Sequence, residues 1–109
     1  MILAQQARIW SDRPLFAILG MIKTKNPGAF VAPLCPYLAG IMTVEIEAEE
    51  STIKAGELAL LVSEKGLRAT PMPSIKVAIE KLMMLSLRPA RVLICGSLYL
   101  AGQVLDKHN

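Results

Sequence analysis

RVLICGSLYLAGQVL, from Arg91 to Leu105, is the stretch that decides the fold. Arg91 to Cys95 is a short apolar run that reads as a buried strand, Gly96-Ser97 as a sharp turn, and Leu98 to Leu105 as the opening of a helix. A strand that turns directly into a helix is the repeating unit of an α/β sheet. In open sheets of that kind the loops at the carboxyl ends of the strands line the binding crevice. The helix that follows presents unpaired N–H groups to an anion, so the corner at Gly96-Ser97 is the first candidate for a ligand-facing site.

The same alternation runs back through the chain. Ser74 is placed to cap an amphipathic helix in which Ile75, Ile79, Leu82 and Met83 share a face, with Pro89 ending it. Arg68 to Thr70 carries a weak strand signal. Lys54 to Lys65 reads as a helix with Leu58, Leu61 and Val62 on one face, Ser51 or Thr52 as its cap, and Gly66 at the C′ position. Ile41 to Ile46 is a strand that runs out into the acidic stretch Glu45 to Glu50. Leu15 to Ile22, LFAILGMI, follows Pro14 as a continuous apolar run and reads as a buried strand. Lys23 to Asn26 is a polar loop, and Pro27 introduces a short helix around Gly28 to Leu38. Ile2 to Trp10 reads as a helix with no capping residue before it.

The expected order is therefore α, β, α, β, α, β, α, β, α, which implies parallel strands joined by right-handed crossovers. The fold class is α/β, a Rossmann-like and mostly parallel sheet with helices on both faces, in one domain over residues 1–109. The length of 109 residues suits one domain with a real core. Hydrophobic residues make up 53% and charged residues 19%, which suits strands buried on both faces.

The net charge of +3 is carried by scattered Lys and Arg, without the clustering that a nucleic-acid surface needs. Cys35 and Cys95 sit in apolar surroundings without paired spacing or partner histidines. They read as buried small hydrophobes in a reducing compartment, and no metal site is expected. Asn26 to Val44 is uncharged and approaches transmembrane length, but Pro27, Pro33 and Pro36 with Gly28 and Gly40 would break a spanning helix repeatedly. MILAQQARIW has no basic region before an apolar block, so a signal peptide is not expected and cytoplasm is the default.

Few residues carry chemistry. Ser97, where strand meets helix, reads either as a simple N-cap or as a hydroxyl that meets a ligand carboxylate together with backbone N–H groups. Tyr99 offers a phenol to the same place or packs with its OH in water. Lys23 and Lys25 follow the Leu15 to Ile22 strand, where their ammonium groups either meet a phosphate or are solvated. Glu45, Glu47, Glu49 and Glu50 read as a solvated acidic face, and the only histidine, His108, lies in the tail. The chain has no Walker-type loop, no Gly-x-Gly-x-x-Gly and no Ser/His/Asp set independent of His108, so no catalytic residue is assigned.

VLICGSLYLAGQVL at Val92 to Leu105 resembles the closing motif of the folylpolyglutamate synthase / dihydrofolate synthase family, the folate branch of the Mur ligase superfamily. GMIKTKNPGAFVAPL at Gly20 to Leu34 is similar to that family's Gly-Met loop, which usually continues through Lys-Asp to a Gly-Phe helix start. The resemblance extends in order over essentially the whole chain and identifies it with the family's C-terminal, Rossmann-like domain.

The resemblance implies an ATP-dependent ligase that makes an acyl phosphate on a folate or pteroate carboxylate and lets the amine of glutamate attack it. It implies that ATP and Mg are held mainly by an N-terminal domain, with none bound tightly by this chain alone. It places Ser97 and Tyr99 near the incoming glutamate and Lys25 on the nucleotide side. It implies small-molecule substrates (glutamate, folate and ATP) and pairing with an N-terminal domain or self-association, with no nucleic acid and no membrane. Asn26 departs from the pattern by standing where the family usually has an acid. The family's domain also opens with a strand ending in Asp-Gly-Ala-His-Asn-Pro, so a sheet lacking that first strand, with unpaired edge groups, is expected here. The leading reading is thus a truncated ligase domain that is inactive alone, and the alternative is a stand-alone α/β binding or interaction module. An unrelated Rossmann-like domain for another anion stays open as a third.

Overall fold

The computed structural model describes residues 2–10, 12–23, 25–46, 50–66, 68–85, 90–96 and 103–106. Its centre is a five-stranded sheet built on β1 (Leu15–Gly20) and β4 (Arg91–Gly96), which pair in parallel along six residues each, from Leu15↔Arg91 to Gly20↔Gly96. β2 (Gly40–Thr43) pairs in parallel with the other side of β1, and β3 (Ala69–Pro71) with β2. β5 (Gln103–Asp106) runs antiparallel along β4, giving the order β3-β2-β1-β4-β5. LFAILG and VLICG are central because only a strand covered on both faces tolerates apolar side chains at successive positions.

Helices cover both faces. α1 (Ile2–Trp10), α2 (Pro27–Val31) and α3 (Ala55–Ser63) lie on one side, where Ala7, Val31, Leu58 and Val62 join Leu15, Ala17, Leu19, Leu93 and Cys95 in the larger core. α4 (Ile75–Leu85) lies on the other, where Ala78 and Leu82 pack against Ile18, Met42, Val44, Val92 and Ile94. Alternate residues of β1 and β4 therefore feed different cores, as the two-residue side-chain period of a strand requires. The α/β, Rossmann-like and mostly parallel arrangement expected from the sequence is present. At the amino end of the strands Arg91 donates to Asp12 at 2.6 Å and to the Trp10 carbonyl at 3.3 Å, tying the α1–β1 link to the start of β4.

Several elements differ from the sequence expectation. The helix expected over Leu98 to Leu105 is not formed at its C-terminal part, where Gln103–Asp106 is β5, and residues 98–102 lie outside those described. A segment of that length has little helical stability alone. It includes Gly102 and the β-branched Val104, and beside it the outer edge of β4 offers a row of backbone groups to pair. β5 in this way pairs with β4 from Arg91 to Ile94.

The helix expected around Gly28 to Leu38 is two pieces, α2 and a 3-10 turn at Cys35–Tyr37. A proline inside a helix removes an N–H and collides with the carbonyl four residues back, which accounts for the break at Pro33. The strands expected to reach Ile22 and Ile46 end at Gly20 and Thr43. Neither Ser51 nor Thr52 caps α3, whose N-cap is Lys54 without a side-chain bond. Thr52 is engaged in a bridge with Ile22, and its hydroxyl accepts from the Ile46 N–H at 2.9 Å. Met83 is 53% exposed because the buried stripe of α4 centres on Ala78 and Leu82, and 100° of further rotation carries residue 83 outward. Cys35 is only half-buried, whereas Cys95 is buried.

Ser74 caps α4 as the sequence predicts, its hydroxyl accepting from the Val77 N–H at 3.1 Å. Gly66 takes a positive φ of 92°, but the C-cap of α3 is Glu64, so the glycine lies one residue beyond the expected C′ position. The 26–44 segment forms short pieces, and among the described residues no helix is long and apolar enough to cross a membrane.

Candidate functional site

The sheet has one switch point. From β1 the chain moves to β2 and β3 in one direction, and from β3 it crosses back through α4 to β4 on the other side of β1. β1 and β4 thus lie side by side at the switch point, the place where open α/β sheets form their ligand crevice at the carboxyl ends of the strands. Gly20 and Gly96 stand opposite each other at that place. Gly96 has φ +154°, and a Cβ on it would overlap the carbonyl oxygen of Gly20. A Cβ on Gly20 would lie 3.1 Å from Ile46 Cγ1 and 3.3 Å from the Val44 carbonyl oxygen. Both strands thus end in bare backbone, and the sequence permits it by placing glycine at each end.

The loop after β1 is held firmly. Lys23 N–H donates to the Ser51 carbonyl at 2.8 Å and Ile53 N–H to the Met21 carbonyl at 2.8 Å, on either side of the Ile22–Thr52 bridge. Lys25 N–H then closes a tight turn onto the Ile22 carbonyl at 3.1 Å, leaving the Lys25 side chain exposed at the tip. Asn26 accepts from the Ala29 N–H at 3.1 Å and is the N-cap of α2. An amide performs that task as well as a carboxylate, so the neutral residue at 26 is compatible with the loop geometry. Below the loop, the Thr43 hydroxyl, fully buried, donates to the Ala55 carbonyl at 2.7 Å and fastens the start of α3 to the end of β2.

On the α4 side of the crevice lies a cavity of about 400 Å³. It is lined by Ile18 of β1, Val44 just past β2 and Ile94 of β4, with Ile75 of α4 packed over them. Ser74, Lys76 and Glu45 supply the polar rim. Glu45 is 3.7 Å from Lys54 in an exposed pair that contributes about 0–1 kcal/mol. Cys95 borders the cavity, but its side chain packs into the larger core on the opposite face, where burial pushes the thiol up to about 12 and keeps it protonated and unreactive at neutral pH. Burial also raises the Cys35 thiol.

Of the residues singled out in the sequence, Lys25 is exposed in the loop after β1, and Gly96 ends β4 opposite Gly20. Ser97, Tyr99, Glu47, Glu49 and His108 lie outside the described residues. Glu50 and Lys23 are exposed. Among the described residues no three His, Cys, Asp or Glu side chains gather where they could hold a metal ion. Sequence reasoning missed the cavity and Lys76. The available signal was a cation two residues after the Ser74 cap, in a first turn that has no acid.

No protein-family model matches this sequence, and no curated protein matches it. Two solved structures do. One is Mycobacterium tuberculosis folylpolyglutamate synthase complexed with ADP, 18% identical, with a TM-score of 0.65 over 76% of this chain and 20% of that one. The other is M. tuberculosis folylpolyglutamate synthase complexed with ADP and AMPPCP, 20% identical, with a TM-score of 0.60 over 67% of this chain and 17% of that one. The likeness shows a shared fold, and the chain spans about a fifth of the length of either neighbour.

Proposed function

We propose that this chain serves as the C-terminal, glutamate- and nucleotide-side domain of a Mur-type ligase, one that adds L-glutamate to a folate or pteroate carboxylate through an acyl phosphate. The observation that carries the proposal is the fold shared with folylpolyglutamate synthase over 76% of the chain, at a TM-score of 0.65. It agrees with the Gly20 to Leu34 and Val92 to Leu105 motifs, which meet where Gly20 and Gly96 stand opposite each other at the ends of β1 and β4. In this reading Ser97 and Tyr99 hold the incoming glutamate, and Lys25, exposed on a stapled loop, faces the nucleotide. ATP and magnesium are bound chiefly by a separate phosphate-binding domain, and the chain alone does not turn over. The setting is cytoplasmic.

The test is ATP-dependent addition of glutamate to tetrahydrofolate by the purified chain, with and without a folylpolyglutamate synthase N-terminal domain supplied in trans. Turnover only in the mixture, with an increased KM for glutamate in Ser97→Ala, is the expected result. Turnover by the chain alone would refute the division of labour, and an inactive mixture that binds neither glutamate nor ADP would refute the ligase reading.

One observation favours a second reading, a self-standing binding module. The chain's own β5 covers the outer edge of β4, so that edge is paired without another polypeptide. A monodisperse species with cooperative unfolding, measured by light scattering and thermal melting, supports the module, and aggregation counts against it.

A further inference from the structure

We infer that the cavity under the first turn of α4 binds a small molecule with an apolar body and one anionic group, carboxylate or phosphate, and that Lys76 recognises the charge. The inference does not depend on the ligase reading, because it rests on this cavity and its rim.

The volume of about 400 Å³ falls in the range of small-molecule sites, and the composition matches theirs, mainly apolar with a few polar groups. Ile18 of β1, Val44 just past the end of β2 and Ile94 of β4 line it with branched side chains, an apolar surface suited to a planar or hydrocarbon body. The position is the carboxyl end of the strands beside the switch point, where open α/β sheets bind ligands.

The charge at the rim selects the ligand's sign. Lys76 lies in the first turn of α4, where a cation is electrostatically unfavourable, and that turn has no acid to offset it. Among the described residues Lys76 has no ion-pair partner, and its side chain is exposed. Local helix energetics thus give no reason for a lysine here, and rule-breaking placements of this kind collect at functional sites. Glu45, the other charged group on the rim, is turned toward Lys54 at 3.7 Å, so Lys76 remains the uncompensated charge facing the cavity.

The experiment is a ¹H–¹⁵N NMR titration of the full chain with AMP, 2-naphthoate and their uncharged counterparts adenosine and 2-naphthol. The expected result is movement of the Glu45, Ile75, Lys76 and Ile94 amides with at least one anion, and weaker or no movement with its neutral counterpart. A response to AMP alone assigns the site to phosphates, and a response to 2-naphthoate assigns it to carboxylates. Lys76→Gln weakens the binding about tenfold, whereas Lys76→Arg stays within about threefold of the wild type. The inference is overturned if neither anion moves these amides at about 10 mM, if the neutral probes bind as well, or if Lys76→Gln binds like the wild type.

Discussion

Replacing Gly96 by alanine adds one methyl group at the closest approach of β1 and β4, and its cost follows from two separate features. The φ of +154° belongs to a region that L side chains avoid, which costs about 1–3 kcal/mol. The new Cβ would also overlap the Gly20 carbonyl oxygen, so the two strands must separate where their ladder ends, and inserting a carbon into a packed site costs about 1–3 kcal/mol more. The combined loss of about 2–6 kcal/mol is a large part of the roughly 5–15 kcal/mol that stabilises a domain. At about 4 °C per kcal/mol for a domain of this size, the midpoint of thermal unfolding falls by about 8 °C or more. Gly56, in the exposed first turn of α3 with nothing within 4 Å of its would-be Cβ, is the matched control. Gly56→Ala raises stability by about 0.5 kcal/mol, because alanine suits a helix better than glycine. Circular dichroism melts of the three proteins decide the matter. A Gly96→Ala midpoint within about 2 °C of the wild type would refute the account of the two strand ends.

Three further outcomes are expected. Thr43→Val leaves the Ala55 carbonyl buried without its 2.7 Å donor and lowers stability by about 1–3 kcal/mol in urea unfolding. Asn26→Ala costs about 1 kcal/mol through the lost cap of α2, whereas Asn26→Asp stays within about 0.5 kcal/mol of the wild type, as thermal melts of both variants will show. The Cys95 thiol is held protonated up to about 12 in the fold but ionises near 9.0 when unfolded. The unfolded chain therefore binds fewer protons above pH 9, and the Cys95 contribution to stability is constant below pH 9 and declines from there toward 12. Cys95→Ala flattens that part of the pH–stability curve, and in the native wild type iodoacetamide labels Cys35 before Cys95 by mass spectrometry.

The legible part of the fold came from residues whose reading has a single physical cause. LFAILG and VLICG are apolar at consecutive positions, which only a doubly covered strand tolerates, and Ser74 and Gly66 mark helix ends through chemistry that few other residues supply. Leu98 to Leu105 misled because its apolar spacing suits a helix, while the deciding factor for residues 103–106 is the neighbouring edge of β4, more distant than any local window. Thr52 misled in the same way, since a threonine placed as a cap is drawn into the bridge with Ile22 from the loop after β1. At the site, Gly96 and the Lys25 loop were marked by sequence. The cavity was not, because Ile18, Val44, Ile75 and Ile94 come from four separate elements and are ordinary core residues in each.

The β3 margin of the sheet has a consequence for how copies of this protein meet. β3 is three residues long, and Met72 N–H points inward to the Thr43 carbonyl at 2.8 Å. Successive backbone nitrogens of a strand face opposite sides, so the outward nitrogens of β3 are those of Ala69 and Pro71, and that of Pro71 carries no hydrogen. A strand arriving from another molecule would find one of the two donors missing, which disfavours intermolecular growth along β3.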